Sequence, residues 1–477
     1  MTFGFSSLWR WDGTVDRGFY ALVGVAGFAL KHNLDRFIAT LVFHRSWGIF
    51  NYWIPPVRVM HLASLSHSDM VFLGSMLALA LPFIRVGVAL TLRRLRAIGL
   101  PLWLVVFFFA PVLNLLFFLL LSTLPSRAPK GTALPPARSG PRKSLDRFIP
   151  NHIVGSAAMA VLLTAILGVA TVGFATLRMP VYGVGLYVAL PFCLGLLSSL
   201  IDGYHHPRSF VRCLAVSAIS AILVGAGLVA MAIEGVFCLF MALPIGMVLA
   251  AMGGTVGYFI QRVSGAAHQA PATLMMIAIF APGFIQAERA ATPEAPLYEV
   301  TTSVMIHAPA ERVWRELVAF NTIDEPPEWL FRIGIACPTR ATIAGRGPGA
   351  VRHCVFSTGA FVEPIEVWDE PRRLAFRVTS NPPSMTEWTP YKSIRPPHLE
   401  GFLVSERGEF RLTALGPDRT LLEGTTWYRH HMQPAAYWRL WSDFILHKIH
   451  ARVLAHIQNA AEREEAFGQS GRGGIIP

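Results

Sequence analysis

The stretch Val300-Thr-Thr-Ser-Val-Met-Ile-His-Ala-Pro-Ala-Glu-Arg-Val-Trp314 decides how the C-terminal part of this chain folds. Val300, Thr302, Val304 and Ile306 alternate with Thr301, Ser303 and Met305, the period of a strand with one buried face. At Ala308-Pro309-Ala310-Glu311 the period changes. A short helix opens there, with proline at an early position where its missing N–H is harmless, and runs through Val313, Trp314 and Leu317.

Downstream, further strands are expected at Ala350–Ser357, Ala360–Trp368, Arg373–Thr379, Gly401–Leu412 and Arg419–Arg429. Turn residues separate them: Gly345-Arg-Gly-Pro-Gly349, Thr358-Gly359, Asp369-Glu-Pro371 and Gly416-Pro-Asp418. A closing helix is expected from about Pro434 to Glu465, with Trp438, Trp441, Ile445 and Ile449 forming one broad apolar face. The pattern predicts an α+β domain in which a curved antiparallel sheet grips a long C-terminal helix.

This part resembles the helix-grip fold of the START and polyketide-cyclase (SRPBCC) superfamily. The opening stretch is similar to that superfamily's I-x-A-P-x-x-x-V-W signature, and Gly347-Pro-Gly-Ala-Val351 and Val367-Trp-Asp-Glu-Pro371 are similar to later landmarks. The resemblance covers roughly residues 298–465 and implies a cavity between sheet and helix. Near the other end, Gly13, Arg17 and Arg94-Leu-Arg-Ala-Ile-Gly99 resemble the bacterial domain of unknown function 805 family over about residues 8–125. The family's R-L-H-D-x-G motif has Arg96 and Ala97 here in place of its His and Asp.

Upstream of residue 290 the composition is that of a membrane protein. The 477-residue chain is 53% hydrophobic and only 15% charged, with a mean hydropathy of +0.47; soluble chains carry about 25% charged residues. Its 32 Phe and 12 Trp exclude general disorder. The net charge of +12 is read as basic loops between apolar runs rather than as a nucleic-acid surface. Apolar runs occur at Gly18–Phe43, Val71–Leu92, Leu100–Leu121, Ile153–Leu177, Val181–Ile201, Cys213–Ile233, Val236–Ile260 and Thr273–Ala287. A span needs about 20 residues, so seven spans, give or take one, are expected; charges interrupt the first run and the last is short.

The expected organisation is a membrane domain at 1–125, a Pro/Arg-rich cytoplasmic linker at 126–152, a second helical block at 153–290, the helix-grip domain at 296–465 and a disordered tail at 466–477. Polar residues before the first run argue against a cleavable signal peptide. The Arg-rich, Lys-poor usage and basic loops point to a multi-pass protein of a bacterial inner membrane. Arg93, Arg94 and Arg96 precede the run Leu100–Leu121, and Arg127, Lys130 and Arg138 follow it. Both flanks favour the cytoplasm. Either a re-entrant pair of half-helices around Pro111 and Asn114 or a kinked span with imperfect charge bias fits that pattern.

Strand alternation nominates Phe361, Ile365, Leu374, Phe376, Phe402, Phe410 and Trp427, with Trp441 and Ile445 from the helix, as the lining of a hydrophobic-ligand cavity. His353, Glu363, Glu406 and Glu423 are polar candidates on the same phases, and a buried carboxyl there could serve as a general acid or base. Asp443, His447 and His450 share one helical face, read as a polar outer face in preference to a metal set. The five cysteines form no CxxC pair and no zinc spacing, and Gly345–Gly349 lacks the sequel of a P-loop. No metal and no cofactor are expected. The segment from Asn381 to Pro397 is long enough to be a lid, and Glu234 sits between two apolar runs.

Three readings follow. The first is a membrane protein whose C-terminal domain binds a hydrophobic ligand such as a lipid, quinone or polyketide-like molecule. The second is a membrane-tethered cyclase or dehydratase acting on an apolar substrate. The third is a transporter or assembly partner regulated by its soluble domain.

Overall fold

The computed structural model describes residues 8–52, 66–110, 113–126, 149–263, 283–290, 294–391 and 394–470. They form two compact units. One holds Met1–Met231 and Ala242–Pro293, the other Ala232–Met241 and Glu294–Pro477. Most of the expected linker at 126–152, most of the run Thr273–Ala287 and the end of the tail lie outside the described residues.

The N-terminal unit is helical: α1 (Arg17–Leu41), α2 (His67–Ile98), α3 (Leu113–Thr123), α4 (Ile153–Arg178), α5 (Leu190–Asp202), α6 (Phe210–Ala230) and α7 (Val236–Gln261). The first residues of α7, to Met241, belong to the other unit. Among the described residues five helices are long and apolar enough to cross a membrane: α2, α4, α5 with its preceding π turn, α6 and α7. Two of the runs expected to span are not among them. Charges interrupt α1, where Asp35 pairs with Lys31 and accepts from the Tyr52 hydroxyl at 2.5 Å. The run Leu100–Leu121 is not one helix but a 3-10 segment (Leu102–Phe108) followed by the 11-residue α3. At 1.5 Å per residue α3 is about 16 Å long, half of a hydrocarbon core.

Large apolar residues cover the outside of this bundle as well as its core, unlike a water-soluble bundle. Leu162, Ile166, Ile219 and Ile222 are exposed. Inside, a Cβ on Gly195 would lie 2.0 Å from the Ala250 carbonyl, and one on Gly253 would lie 2.0 Å from the Phe192 carbonyl. The backbones of α5 and α7 therefore touch where only glycine fits, the close approach that drives helix association in lipid. Hydroxyls add bonds, as between Thr164 and Ser220 at 3.0 Å. Buried Asp202 is held by Arg212 at 2.7 and 2.8 Å and by Ser156 at 2.7 Å. The two expected membrane blocks share one apolar core, in which Leu104, Phe107 and Phe117 join Phe192, Leu196 and Val256.

The C-terminal unit is a seven-stranded antiparallel sheet in the order β1-β7-β6-β5-β4-β3-β2, with a long helix against it. Its strands are β1 (Leu297–Ile306), β2 (Pro338–Ala344), β3 (Val351–Phe356), β4 (Gly359–Asp369), β5 (Arg373–Arg377), β6 (Leu403–Gly416) and β7 (Arg419–His430). Helices α8 (Ala310–Val318) and α9 (Trp329–Arg332) lie between β1 and β2, and α10 (Ala435–Ser470) closes the chain. Strand β2 has no counterpart among the sequence expectations. Pro338-Thr-Arg-Ala-Thr-Ile-Ala344 is an edge strand with a weak apolar alternation, and its pairing with β3 supplies what propensity does not. The core gathers Ile306, Val313, Trp314, Leu317, Leu374, Leu412 and Leu422 beneath Val453, Leu454 and Ile457 of α10. Trp314 meets Trp368 edge to face at 5.6 Å.

Candidate functional site

The concave face of the sheet is set by strand phase. On β1 Tyr298, Val300 and Ile306 are buried, and on β7 Leu422, Gly424, Tyr428 and His430 are buried. On β3 the buried phase is Arg352, Cys354 and Phe356. On β4 and β5 it includes Glu363, Ile365, Leu374 and Phe376.

Under this face lies an ion pair. Arg352 and Glu363 are direct cross-strand partners, both are buried, and Arg352 Nη1 donates to Glu363 Oε2. Three rings surround the guanidinium: Phe376 and Phe410 at 5.6 Å and Phe320 at 5.8 Å from its carbon to their centroids. Neither Nε nor Nη2 of Arg352 has a hydrogen-bond partner. Burial pushes the Glu363 carboxyl above the usual carboxylate range while Arg352 pulls it back. Burial also pushes the Cys354 thiol up to about 12, so it is an inert neighbour rather than a nucleophile.

Phe320 also borders an open cleft of about 600 Å³, lined by Asn321, Thr322, Asp324, Arg340 and Ile343 among others. One aromatic ring thus borders both the cleft and the environment of the buried cation.

The nominated residues divide. Ile365 and Phe376 lie in the core around the ion pair, and Phe361 and Phe410 pack against it. Glu363 is the ion-pair carboxylate. His353 falls on the opposite phase of β3, so Arg352 takes the buried position instead. Trp427 lies on the other phase of β7, where its indole donates to Glu299 at 3.0 Å and Arg407 stacks at 4.3 Å. Glu423 shares that phase, opposite Ser303 and Arg411, and Glu406 is bound by Arg429 at 2.6 Å. Phe402 precedes β6 and meets His431 edge to face at 6.4 Å. Trp441 is half-buried with its ring 6.4 Å from Phe240, and Ile445 is buried on α10. Arg352 is not among the residues that strand alternation nominates. Its signal was a lone arginine within an expected strand next to His353, and the period of two was offset there by one residue.

Asp443, His447 and His450 do not form a free outer face. The Tyr428 hydroxyl donates to Asp443 at 2.5 Å, and Arg439 donates to it at 3.1 Å. Thr302 Oγ1 lies 2.8 Å from His447 Nδ1 and 3.2 Å from His450 Nδ1, and Thr426 Oγ1 lies 2.8 Å from His450 Nε2. The three side chains form a polar seam between α10 and the β1–β7 pair. Burial, with a smaller contribution from His447, lowers the His450 imidazole to about 4.

No family model matches this chain, and no curated protein matches it. Solved structures do. A protein from Nitrosospira multiformis is 18% identical, with 35% of this chain and 99% of that chain covered, at a TM-score of 0.24. A point mutant of norcoclaurine synthase from Thalictrum flavum, in complex with a transition-state analogue, is 11% identical over 36% of this chain and 99% of its own, at 0.25. The same plant enzyme in complex with dopamine and hydroxybenzaldehyde is 12% identical over 35% and 86%, at 0.23. By its own element order and sheet topology the chain is an apolar helical bundle followed by a curved antiparallel sheet packed on a long C-terminal helix, and that second unit has a helix-grip-like fold.

Proposed function

We propose that this is a multi-pass protein of a bacterial inner membrane whose helix-grip unit binds a hydrophobic ligand carrying an anionic head, such as a fatty acid or an acidic lipid. The observation that carries this reading is Arg352, a buried guanidinium with two N–H-bearing nitrogens unpartnered inside an aromatic surround. A buried donor left without an acceptor costs about 1–3 kcal/mol, more when charged. A carboxylate or phosphate oxygen is the acceptor such a fork suits, and Phe320, Phe376 and Phe410 suit the adjoining chain. The cleft bordered by Phe320 is the entry. Membrane helices on the same chain raise the local concentration of an amphiphile relative to this unit.

The test uses full-length protein purified in detergent, with bound lipid extracted and identified by mass spectrometry. An acidic amphiphile is expected with the wild type, and at least about tenfold less with the double variant Arg352→Met/Glu363→Leu, since losing a charge-assisted bond of 1.4 kcal/mol or more is a factor of ten. Equal retention by both proteins overturns the reading.

A further inference from the structure

The C-terminal unit contains a second cluster of polar side chains, built from two segments far apart in sequence. Ala232–Met241 supplies Glu234, in the bend just before α7, and Cys238, in the first turn of that helix. The segment between β5 and β6 supplies Glu387 and His398. All four are buried. Backbone bonds bring the segments together, with the Val236 N–H donating to the Trp388 carbonyl at 3.0 Å. Gly235 makes the space: a Cβ there would lie 1.9 Å from Glu387 Oε2.

His398 is the centre of the cluster. Its Nε2 lies 2.6 Å from Cys238 Sγ and 3.7 Å from Glu387 Oε1, and its Nδ1 lies 3.4 Å from Glu234 Oε2. The side chain of Glu387 is fully buried, and neither of its oxygens accepts a hydrogen bond. The Glu387 carboxyl and the Cys238 thiol, withdrawn from water beside one imidazole, suit a bound cation, because a buried charge without a partner costs several kcal/mol. Thiolate, imidazole and carboxylate together form the donor set of a borderline divalent transition metal, and Met385 Sδ, 3.8 Å from Cys238 Sγ, adds a soft neighbour. Glu234, Cys238 and His398 also offer donor atoms within 4.8 Å of one another.

We infer that Cys238 Sγ, His398 Nε2 and a Glu387 oxygen bind a divalent transition metal of the zinc class, while Glu234 holds the His398 Nδ1–H and orients the ring. A carboxylate on the far nitrogen of a metal-bound imidazole is the usual outer support of such a ligand. Zn–S near 2.3 Å and Zn–N near 2.0 Å at a tetrahedral angle separate the two donors by roughly 3.5 Å, so Cys238 and His398 part by about 1 Å on binding. The Cys238 thiol releases its proton to solvent as the metal binds. Three protein ligands leave one position open, as catalytic and exchangeable sites do and closed structural sites do not. The metal ties the start of α7 to the segment between β5 and β6. This reading is independent of ligand binding at Arg352.

The experiment takes the full-length protein in detergent, strips it with a chelator and titrates it with cobalt(II) alone, a spectroscopic stand-in for zinc. The expected result is one cobalt per chain with a thiolate-to-cobalt charge-transfer absorption that zinc abolishes. Cys238→Ser loses the absorption, whereas a chain with Cys193, Cys213, Cys337 and Cys354 all replaced by alanine keeps it. Glu387→Gln and Glu234→Gln each weaken cobalt binding by about tenfold or more. Absence of the absorption from the wild type overturns the inference, as does its survival in Cys238→Ser. Should Cys238→Ser fail to fold, the four-alanine chain and Glu387→Gln decide: unchanged affinity in Glu387→Gln, or loss of the absorption in the four-alanine chain, overturns the assignment.

Discussion

Arg94 Nη1 donates to Ser126 Oγ at 2.8 Å, although the whole apolar run Leu100–Leu121 lies between them. The same guanidinium donates to the Leu121 carbonyl at 3.0 Å, to the Val15 carbonyl at 3.2 Å and to the Leu124 carbonyl, and is fully buried. A straight span would put the ends of that run some 30 Å apart. Here both ends meet on one arginine, so the run doubles back, and Arg94 serves as the cap for carbonyls that the end of α3 leaves without helical partners.

Arg94→Leu is therefore expected to destabilise the bundle by about 3–5 kcal/mol, because it strands buried carbonyls and an apolar replacement offers them nothing. Thermal unfolding in detergent measures this. Single cysteines at Arg96 and Ser126 should label from the same side of the membrane in oriented vesicles. Labelling from opposite sides would mean that the run crosses.

The Arg352–Glu363 pair gives a different signature. Arg352→Met alone leaves a carboxylate buried without its cation and should cost about 3–5 kcal/mol, whereas Arg352→Met/Glu363→Leu should return to within about 2 kcal/mol of the wild type. Unfolding of the two variants side by side checks this. A double variant as unstable as the single one would show that the pair is not coupled.

Stability should fall in mild acid. Burial lowers both His430 and His450 to about 4 from an ordinary 6.5, so the folded state favours the neutral rings. Between pH 6.5 and 4 the unfolded chain binds more protons, and stability is lost as pH falls through that window and levels off below it. For His430, which is 2% exposed, the loss is on the order of 3 kcal/mol. Melting temperatures from pH 7.5 to 4.5 should decline, and His450→Gln should decline less steeply. A slope unchanged by that substitution would remove His450 from the account.

Between α5 and α7, Gly195→Leu should disrupt the bundle, because even a Cβ would meet the Ala250 carbonyl at 2.0 Å. A loss of more than about 2 kcal/mol is expected, read as a lower melting temperature in detergent. Gly246→Ala, on a helix position with nothing within 4 Å, should change little.

Local period was legible along the chain, apart from the phase of β3 and β7 and the edge strand β2. Alternation at Val300–Ile306, the helix opening at Pro309 and the apolar face of α10 specified a sheet and helix, because strand and helix each stamp their own spacing on the burial of side chains. Runs of apolar residues likewise specified membrane helices. Only folding settles what depends on pairing across distance. It placed β2 on the sheet edge, put Arg352 rather than His353 beneath the helix, joined the two ends of Leu100–Leu121 on Arg94, and brought Glu234 and Cys238 against Glu387 and His398. In each case the contact joins groups distant in sequence, and a partner eleven to about 160 residues away leaves no periodic trace along the chain.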